Sequence, residues 1–322
     1  MLAVSCVSQS AEDPLSGLSV GEHADPDVPE GWIRVHTKAT ALNHHDLWSL
    51  KGVGLSEENL PMILGCDASG VTDDGRDVVV HAVISTPGWT GDETLDPRRT
   101  LLSELYDGTL AETVVVPAEN VLPKPAALSW EEAACLPTAW LTAYRMLFTQ
   151  SGLRPGDTVL VQGAGGGVAT AAIVLARAAG FVVWATSRDE SKRRRAVELG
   201  AHEAFEPGVR LPARVDAVME TVGKATWAHS MRALRPGGTL VVSGATSGAD
   251  PSADLNRLFF LQLRVIGSTM GTRDELAGLL SFCEATGVRP LIDQVLPLRD
   301  ARAGFERLAT GDVFGKIVLT TS

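Results

Sequence analysis

Cysteine is scarce in this 322-residue chain. Cys6, Cys66, Cys135 and Cys283 show no paired spacing, which argues against a disulfide framework and for a reducing, cytoplasmic setting. Basic charge is also in short supply. Lys and Arg number 28 against 39 Asp and Glu, a net charge of −11, and this speaks against nucleic acid or an anionic membrane as a partner. The opening MLAVSCVSQSAED has no basic leader and acquires acids early, so no signal peptide is expected there. Long uncharged apolar runs are missing as well. Ala169–Ala185 comes nearest to a membrane span, but Arg177 stands at its centre, which makes that reading poor. Repeats and low-complexity segments are absent. What is present is a globular composition, 45% hydrophobic and 21% charged, at a length that accommodates two domains.

The most informative stretch is Asp157–Ala201. Thr158–Gln162 is a short apolar run, the signature of a strand buried on both faces. It stops at Gly163-Ala164-Gly165-Gly166-Gly167. Val168–Ala179 then reads as a helix with small residues on its early turns, ended by Gly180. Phe181–Thr186 is a second strand, and Glu190–Leu199 a charged helix ended by Gly200. Strand, glycine turn, helix and strand make a βαβ unit. Such a turn binds anions, because its glycines admit a pyrophosphate and the helix aims free N–H groups at it. The glycines fit a G-x-G-x-x-G pattern in two registers: Gly163 and Gly165 with Val168 third, or Ala164 and Gly166 with Ala169 third. The second strand ends at Ser187 and Arg188, with Lys192 and Arg193 one turn on. NAD sites place an acid at that strand end, whereas a hydroxyl beside a guanidinium suits a 2′-phosphate. NADPH is the expected cofactor.

The rest of the chain falls around this unit. Residues 1–125 read as β-rich, with strands expected at Met1–Val7, Trp32–Ala41, Val78–Val83 and Glu112–Val116 among frequent Pro and Gly, the pattern of an irregular barrel. Pro123 and Pro125 lead into a helix start at Ser129 with Glu131 and Glu132, and a domain boundary is expected near residue 126. From there to about 270, strands and helices alternate, including Asp216–Glu220, Ala228–Leu234, Thr239–Gly244 and Leu263–Ser268. About six parallel strands in a doubly wound sheet are expected. The tail, with helices at Glu275–Ala285 and Ala301–Thr310 and strands at Gln294–Leu298 and Lys316–Thr320, is expected to return to the N-terminal region.

Several blocks occur together and in order: ALNHHDLWSLKG at 41–52, LPMILGCDASGVT at 60–72, DGTLAETVVVPAENVLPKP at 107–125, LSWEEAACLPTAWLTAYRML at 128–147, VLVQGAGGGVATAA at 159–172, ETVG at 220–223, LRPGGTLVVSGATSG at 234–248 and FGKIVL at 314–319. In these the chain resembles the medium-chain dehydrogenase/reductase superfamily, more closely its zinc-free quinone oxidoreductase-like branch. The resemblance implies a GroES-like barrel domain from residues 1–125 and 271–322, a Rossmann domain from 126–270, a cleft between them, and a homodimer or homotetramer paired partly through the last Rossmann strand. On the cofactor side it implies Thr142, Gly166, Gly167, Val168, Ser187, Arg188, Lys192, Thr221, Val222, Ser243, Gly244, Ala245, Ser268, Thr269 and Lys316. On the substrate side it implies Asn43, Asp46, Cys66, Asp67, Trp89 and Trp140, with Asn43 the choice for a carbonyl hydrogen-bond donor.

The departures from the resemblance carry chemistry. Its zinc alcohol dehydrogenases have cysteine where this chain has Asn43 and Thr138, and histidine where it has Cys66. Asparagine and threonine bind Zn²⁺ poorly. The structural zinc lobe is replaced by STPGWTGDETLDPRRTLLSEL at 85–105, without one cysteine. No zinc is therefore expected. Without a Lewis acid, the chemistry left is hydride donation to an electron-poor acceptor such as a quinone or enone. Three alternatives stay open: a zinc alcohol dehydrogenase with atypical ligands, a non-catalytic NADPH-binding sensor, and a tailoring reductase for a carrier-bound polyketide.

Overall fold

The structure is a computed structural model and describes residues 1–321. The chain divides into two compact units, Met1–Leu141 together with the segment from Gly271 onward, and Thr142–Met270.

The second unit is a single sheet of six strands, Thr158–Val161, Val182–Thr186, Glu203–Phe205, Val215–Glu220, Leu234–Val242 and Arg264–Gly267. All of its pairings are parallel. Numbered by place in the chain, the strands lie in the order 3-2-1-4-5-6, the order of dinucleotide-binding sheets. Val159, Leu160 and Val161 are all fully buried, as an uninterrupted apolar run in a doubly covered strand requires. Helix Gly167–Ala178 buries Ala171, Ala172, Ile173 and Leu175. Helix Glu190–Leu199 opens on Asp189, whose carboxylate accepts from the amides of Ser191 at 2.6 Å and Lys192 at 3.3 Å. It closes on Gly200, at φ +131°. The strand Glu203–Phe205 escaped the sequence reading, since three residues carry neither a period nor an apolar run.

The first unit is built around the ten-residue strand Trp32–Ala41. That strand pairs antiparallel with Ala68–Thr72, Thr113–Pro117 and Lys316–Thr320. Asp77–Val80 and Val121–Pro123 extend the sheet on one side and Ile292–Pro297 on the other. Two smaller sheets complete the unit: Leu2–Cys6 with Leu18–Glu22 and Met62–Ile63, and Val83–Ile84 with Thr100–Leu101. The expected barrel does not close, because among the described residues the strand pairings of the large sheet run open from Val121–Pro123 to Ile292–Pro297. One core gathers Val4, Leu47, Leu50, Leu64, Leu110, Phe305, Ile317 and Leu319. Helix Trp130–Ala134, beyond the boundary expected near residue 126, lies in the first unit. Its Ala134, with Cys135, packs on Ala39, Ala41 and Val318, and Ser69 Oγ donates to Trp130 O at 2.7 Å. Ser129 and Glu132 cap it reciprocally, as the sequence led one to expect. All four cysteines are free and buried, and among the described residues no helix is long and apolar enough to cross a membrane.

His81 is buried beside the strand Asp77–Val80, and neither ring nitrogen has a partner among the described residues. Burial, with Arg273 adding repulsion, pushes its pKa down to about 3. The imidazole is thus neutral in the fold, while the unfolded chain takes up a proton below about pH 6.5. Stability from this group is complete above that pH and is lost as pH falls toward 3. By pH 5 the loss is about 2 kcal/mol. His81→Leu should therefore lose less stability than the native chain between pH 7 and pH 5, as read by urea unfolding at both values.

Candidate active site

In the first unit a buried polar cluster forms where the segment Ala41–Asp46 meets the loop leading to Ala68–Thr72 and the strand Lys316–Thr320. The antiparallel register of Val318 with Ala41 and Leu319 with Thr40 brings Lys316 to Asn43. The Lys316 ammonium, 3% exposed, donates to Leu42 O at 2.8 Å, Asn43 Oδ1 at 2.6 Å and Asp67 Oδ2 at 2.9 Å. Asn43 Nδ2 donates to the same Asp67 oxygen at 2.9 Å and to Ala41 O at 3.3 Å. The Asp67 backbone carbonyl accepts from Thr40 Oγ1 at 2.5 Å and Thr109 Oγ1 at 2.8 Å. Asp46 is fully buried, and its Oδ2 accepts from the Asn43 amide at 2.8 Å, closing the first turn of helix His44–Leu50. Burial raises its carboxyl to about 7, against the pull of the Asn43 amide and Lys316.

Every N–H of Lys316 and of the Asn43 amide is thus engaged inside the cluster. Asn43 was expected to reach a substrate carbonyl and Lys316 the cofactor. In the structure the two hold each other and Asp67. Cys66 is fully buried beside them, but its thiol donates to Leu102 O at 3.2 Å. Trp140 is buried with its indole nitrogen unpaired among the described residues, as is the Thr138 hydroxyl on the same π-helical segment Leu136–Trp140. Trp89 stands apart on an exposed turn, its indole N–H donating to Asp92 O at 3.1 Å.

In the second unit the parallel strands bring their carboxyl ends to one edge, where open sheets bind ligands. Gly163 follows the first strand at φ +75°, and a Cβ there would come within 2.7 Å of Val222 Cγ2. Gly166 caps the helix Gly167–Ala178. The first amide bonded in this helix is that of Thr170, to Gly166 O at 3.0 Å, which leaves the amides of Gly167, Val168 and Ala169 for an anion. Ala169, the third position of the second glycine register, is buried where it begins to pack. Ser187, Thr221 and Val222, Ser243–Ala245, and Ser268 and Thr269 follow the second, fourth, fifth and sixth strands on this edge. Thr142 is buried at the start of the unit. At the second strand end Arg188 is exposed, with no side-chain partner among the described residues. The neighbouring carboxylate, Asp189, is spent on the helix cap. These residues fit a dinucleotide.

Glu220, not singled out by sequence, organises this edge. Fully buried, it accepts from the amides of Val222 at 2.8 Å and Gly223 at 3.0 Å, and from Thr226 Oγ1 and Ser230 Oγ at 2.8 and 2.6 Å. Ser230 Oγ also accepts from Gln162 Nε2 at 2.9 Å, and Gln162 Oε1 accepts from Thr186 Oγ1 at 2.6 Å. One carboxylate therefore shapes the loop after the fourth strand and links it to the ends of the first two. An acid ending the apolar run Ala217–Met219 of the strand Val215–Glu220 is the signal that could have revealed it.

A tetrahedral zinc site needs several committed ligands. Asn43 and Thr138 offer neutral oxygens. The Cys66 thiol is held well above its ordinary range, by burial first and then by Asp46 and Asp67. A cation, the Lys316 ammonium, already bridges Asn43 and Asp67. The donor set does not fit zinc, and among the described residues no group of three or more His, Cys, Asp or Glu is placed to hold a metal. The loop at 85–105 is knitted by carboxylates instead. Asp92 Oδ1 accepts from the amide and hydroxyl of Thr94 at 2.9 and 2.6 Å, and Asp96 accepts from the amides of Thr86 and Arg98 at 2.6 and 2.9 Å.

A nucleotide-binding sheet joined to a GroES-like unit with a buried polar cluster defines a dinucleotide-linked oxidoreductase. Residues 29–126 match the alcohol dehydrogenase GroES-like domain and residues 167–285 the zinc-binding dehydrogenase domain. The chain is 30% identical to a zinc-type alcohol dehydrogenase-like protein of Schizosaccharomyces pombe, over 95% of this chain and 97% of that protein. It superposes on the crystal structure of an NAD-dependent alcohol dehydrogenase with a TM-score of 0.92 at 36% identity, covering 100% of both chains. Against the 2-octenoyl-CoA carboxylase reductase CinF, solved with NADP and 2-octenoyl-CoA, the TM-score is 0.90 at 26% identity, covering 99% of this chain and 87% of that one. The chain belongs to the medium-chain dehydrogenase/reductase superfamily.

Removing the buried cation tests the cluster. Lys316→Met leaves Asp67 buried and uncompensated and should cost about 3–5 kcal/mol. Adding Asp67→Asn to that variant should restore part of the loss in a urea-unfolding cycle.

Proposed function

We propose that this chain is an NADPH-dependent oxidoreductase that delivers hydride, without a metal, to an electron-poor conjugated carbonyl such as an enone, quinone or enoyl thioester. The observation that carries this reading is the Lys316 ammonium bound to Asn43, which the resemblance aligns with one zinc ligand of alcohol dehydrogenases, and to Asp67, next in sequence to Cys66, which it aligns with another. With that space taken by a fixed cation, this chain has no evident means of polarising an unactivated alcohol or ketone. A conjugated acceptor needs less help, because the charge that develops spreads onto its carbonyl oxygen. NADPH, when bound, supplies the hydride. The chain's own part is to hold the pyrophosphate on the amides of Gly167, Val168 and Ala169, and the 2′-phosphate on Ser187 and Arg188. The binding of NADP and an enoyl thioester by CinF supports both halves of the reading.

The test is turnover of NADPH by the purified protein with 2-cyclohexenone, 1,4-benzoquinone and a short enoyl thioester, alongside its zinc content. Activity that follows stoichiometric zinc and disappears with chelation would overturn the metal-free reading. Absence of turnover with all three acceptors would favour a binding protein.

A second reading, preference for NADH, draws on the NAD-dependent neighbour. Arg188→Ala separates the two. On the NADPH reading it raises KM for NADPH about tenfold, the loss of one charge-assisted bond, and leaves KM for NADH within about twofold. Equal effects on both cofactors would favour NADH.

A further inference from the structure

Reduction of a conjugated carbonyl consumes a proton as well as a hydride, and the polar cluster leaves no N–H to supply it. The three N–H groups of Lys316 and both of the Asn43 amide are engaged. The Cys66 thiol is bonded to Leu102 O. Asp46 is sealed from solvent. Two histidines lie on the same first turn. His44 is exposed, with no orienting partner among the described residues.

His45 is different. Its side chain is 15% exposed, and its Nε2 is buried without a hydrogen bond among the described residues, 4.0 Å from Glu104 Oε1. Glu104 is itself fixed from three sides. Its Oε2 accepts from the Leu101 amide at 3.0 Å and Thr100 Oγ1 at 3.4 Å, and its carbonyl accepts from Asn59 Nδ2 at 2.9 Å. Oε1 is left facing the imidazole. Gly54, at φ +87°, lies over the pair, and a Cβ there would stand 3.2 Å from Glu104 Oε1 and 3.6 Å from His45 Cε1. The segment that carries His45 and Gly54 and the loop at 85–105, which replaces the structural zinc lobe, meet at this pair. A base oriented by a carboxylate, slightly beyond bonding distance before substrate is bound, is the geometry of a general acid–base group.

We propose that His45, oriented by Glu104, is the proton donor to the substrate. This rests on the reductase reading above. Hydride addition to the β-carbon forms a C–H bond and moves the C=C pair through the carbonyl carbon onto its oxygen. The imidazolium N–H then breaks: its proton goes to the enolate, its electron pair returns to the ring, and water reprotonates the imidazole. Glu104 is a positioning residue, which holds the ring orientation and favours the charged form. Burial, the larger effect, holds the His45 pKa below the ordinary imidazole value, and Glu104 pulls it back up.

The test uses 2-cyclohexenone and NADPH with the full-length chain. His45→Ala should lower kcat by about 10²–10³, the ordinary worth of a general acid, with KM for the enone within about threefold. Added imidazole should restore at least about tenfold of the loss in that variant and do nothing to the native enzyme. Glu104→Gln should lower kcat about tenfold and carries the test if His45→Ala does not fold. A readout independent of turnover is the His45 ring ¹⁵N resonance, which should move when the enone binds without cofactor, and should move less in Glu104→Gln. If His45→Ala keeps its kcat within about threefold of native, or shows no rescue and no loss beyond that of Glu104→Gln, the assignment is wrong. A native chain that fails to oxidise NADPH with any acceptor overturns the reductase reading, and the assignment falls with it. A native chain that turns over while His45→Ala matches it overturns the assignment alone.

Discussion

The first unit depends on one buried cation. A lysine ammonium taken out of water costs several kcal/mol unless charge and hydrogen bonds replace its hydration. Lys316 meets both conditions with one carboxylate and two neutral oxygens. Asp67 gains as much in return, since its burial is equally costly. The price is rigidity: no member of the cluster is free to approach a substrate. Asn43 and Lys316, which look like site residues in the sequence, are better understood as the frame on which helix His44–Leu50 is mounted.

The second unit solves a different problem, holding several loops at one sheet edge with little polar surface to spare. Glu220 does this with bonds to two amides and two hydroxyls, and Gln162 and Thr186 carry the order to neighbouring strands. A network that is fully hydrogen-bonded fixes loop positions more strictly than apolar packing does. The glycine turn needs that order, because Gly163 passes too close to Val222 for any side chain.

Local features were legible in the sequence. The strand Trp32–Ala41 and the helices Glu190–Leu199 and Ala301–Thr310 match their expected bounds, because period, caps and terminal glycines are written in consecutive residues. The parallel sheet was legible from alternation of strand and helix. The open sheets in place of a closed barrel were not, since strand pairing is a property of distant segments. The same limit applies to the candidate site. That Asn43, Asp46, Asp67 and Lys316 belong to functional segments could be read from motif blocks. That Lys316 bonds both Asn43 and Asp67 could not, because Lys316 and Asp67 are 249 positions apart. The approach of His45 to Glu104 could not be read for the same reason, and Glu220 passed for one more residue at a strand end.

The return of the closing strand to Trp32–Ala41 has a consequence for synthesis. Asn43, Asp46 and Asp67 emerge from the ribosome early, yet their counter-charge arrives only with residue 316. Until then the first unit holds two acidic side chains in a place built to exclude water, with nothing to neutralise them. The second unit, continuous in sequence, lacks no strand of its sheet once residue 267 is made. Translation therefore delivers the parallel-sheet unit before the unit that needs Lys316 is complete. A chain interrupted before Lys316 would bring an assembled cofactor fold alongside an unfinished partner, and quality control would meet it as a half-folded protein rather than as an idle enzyme.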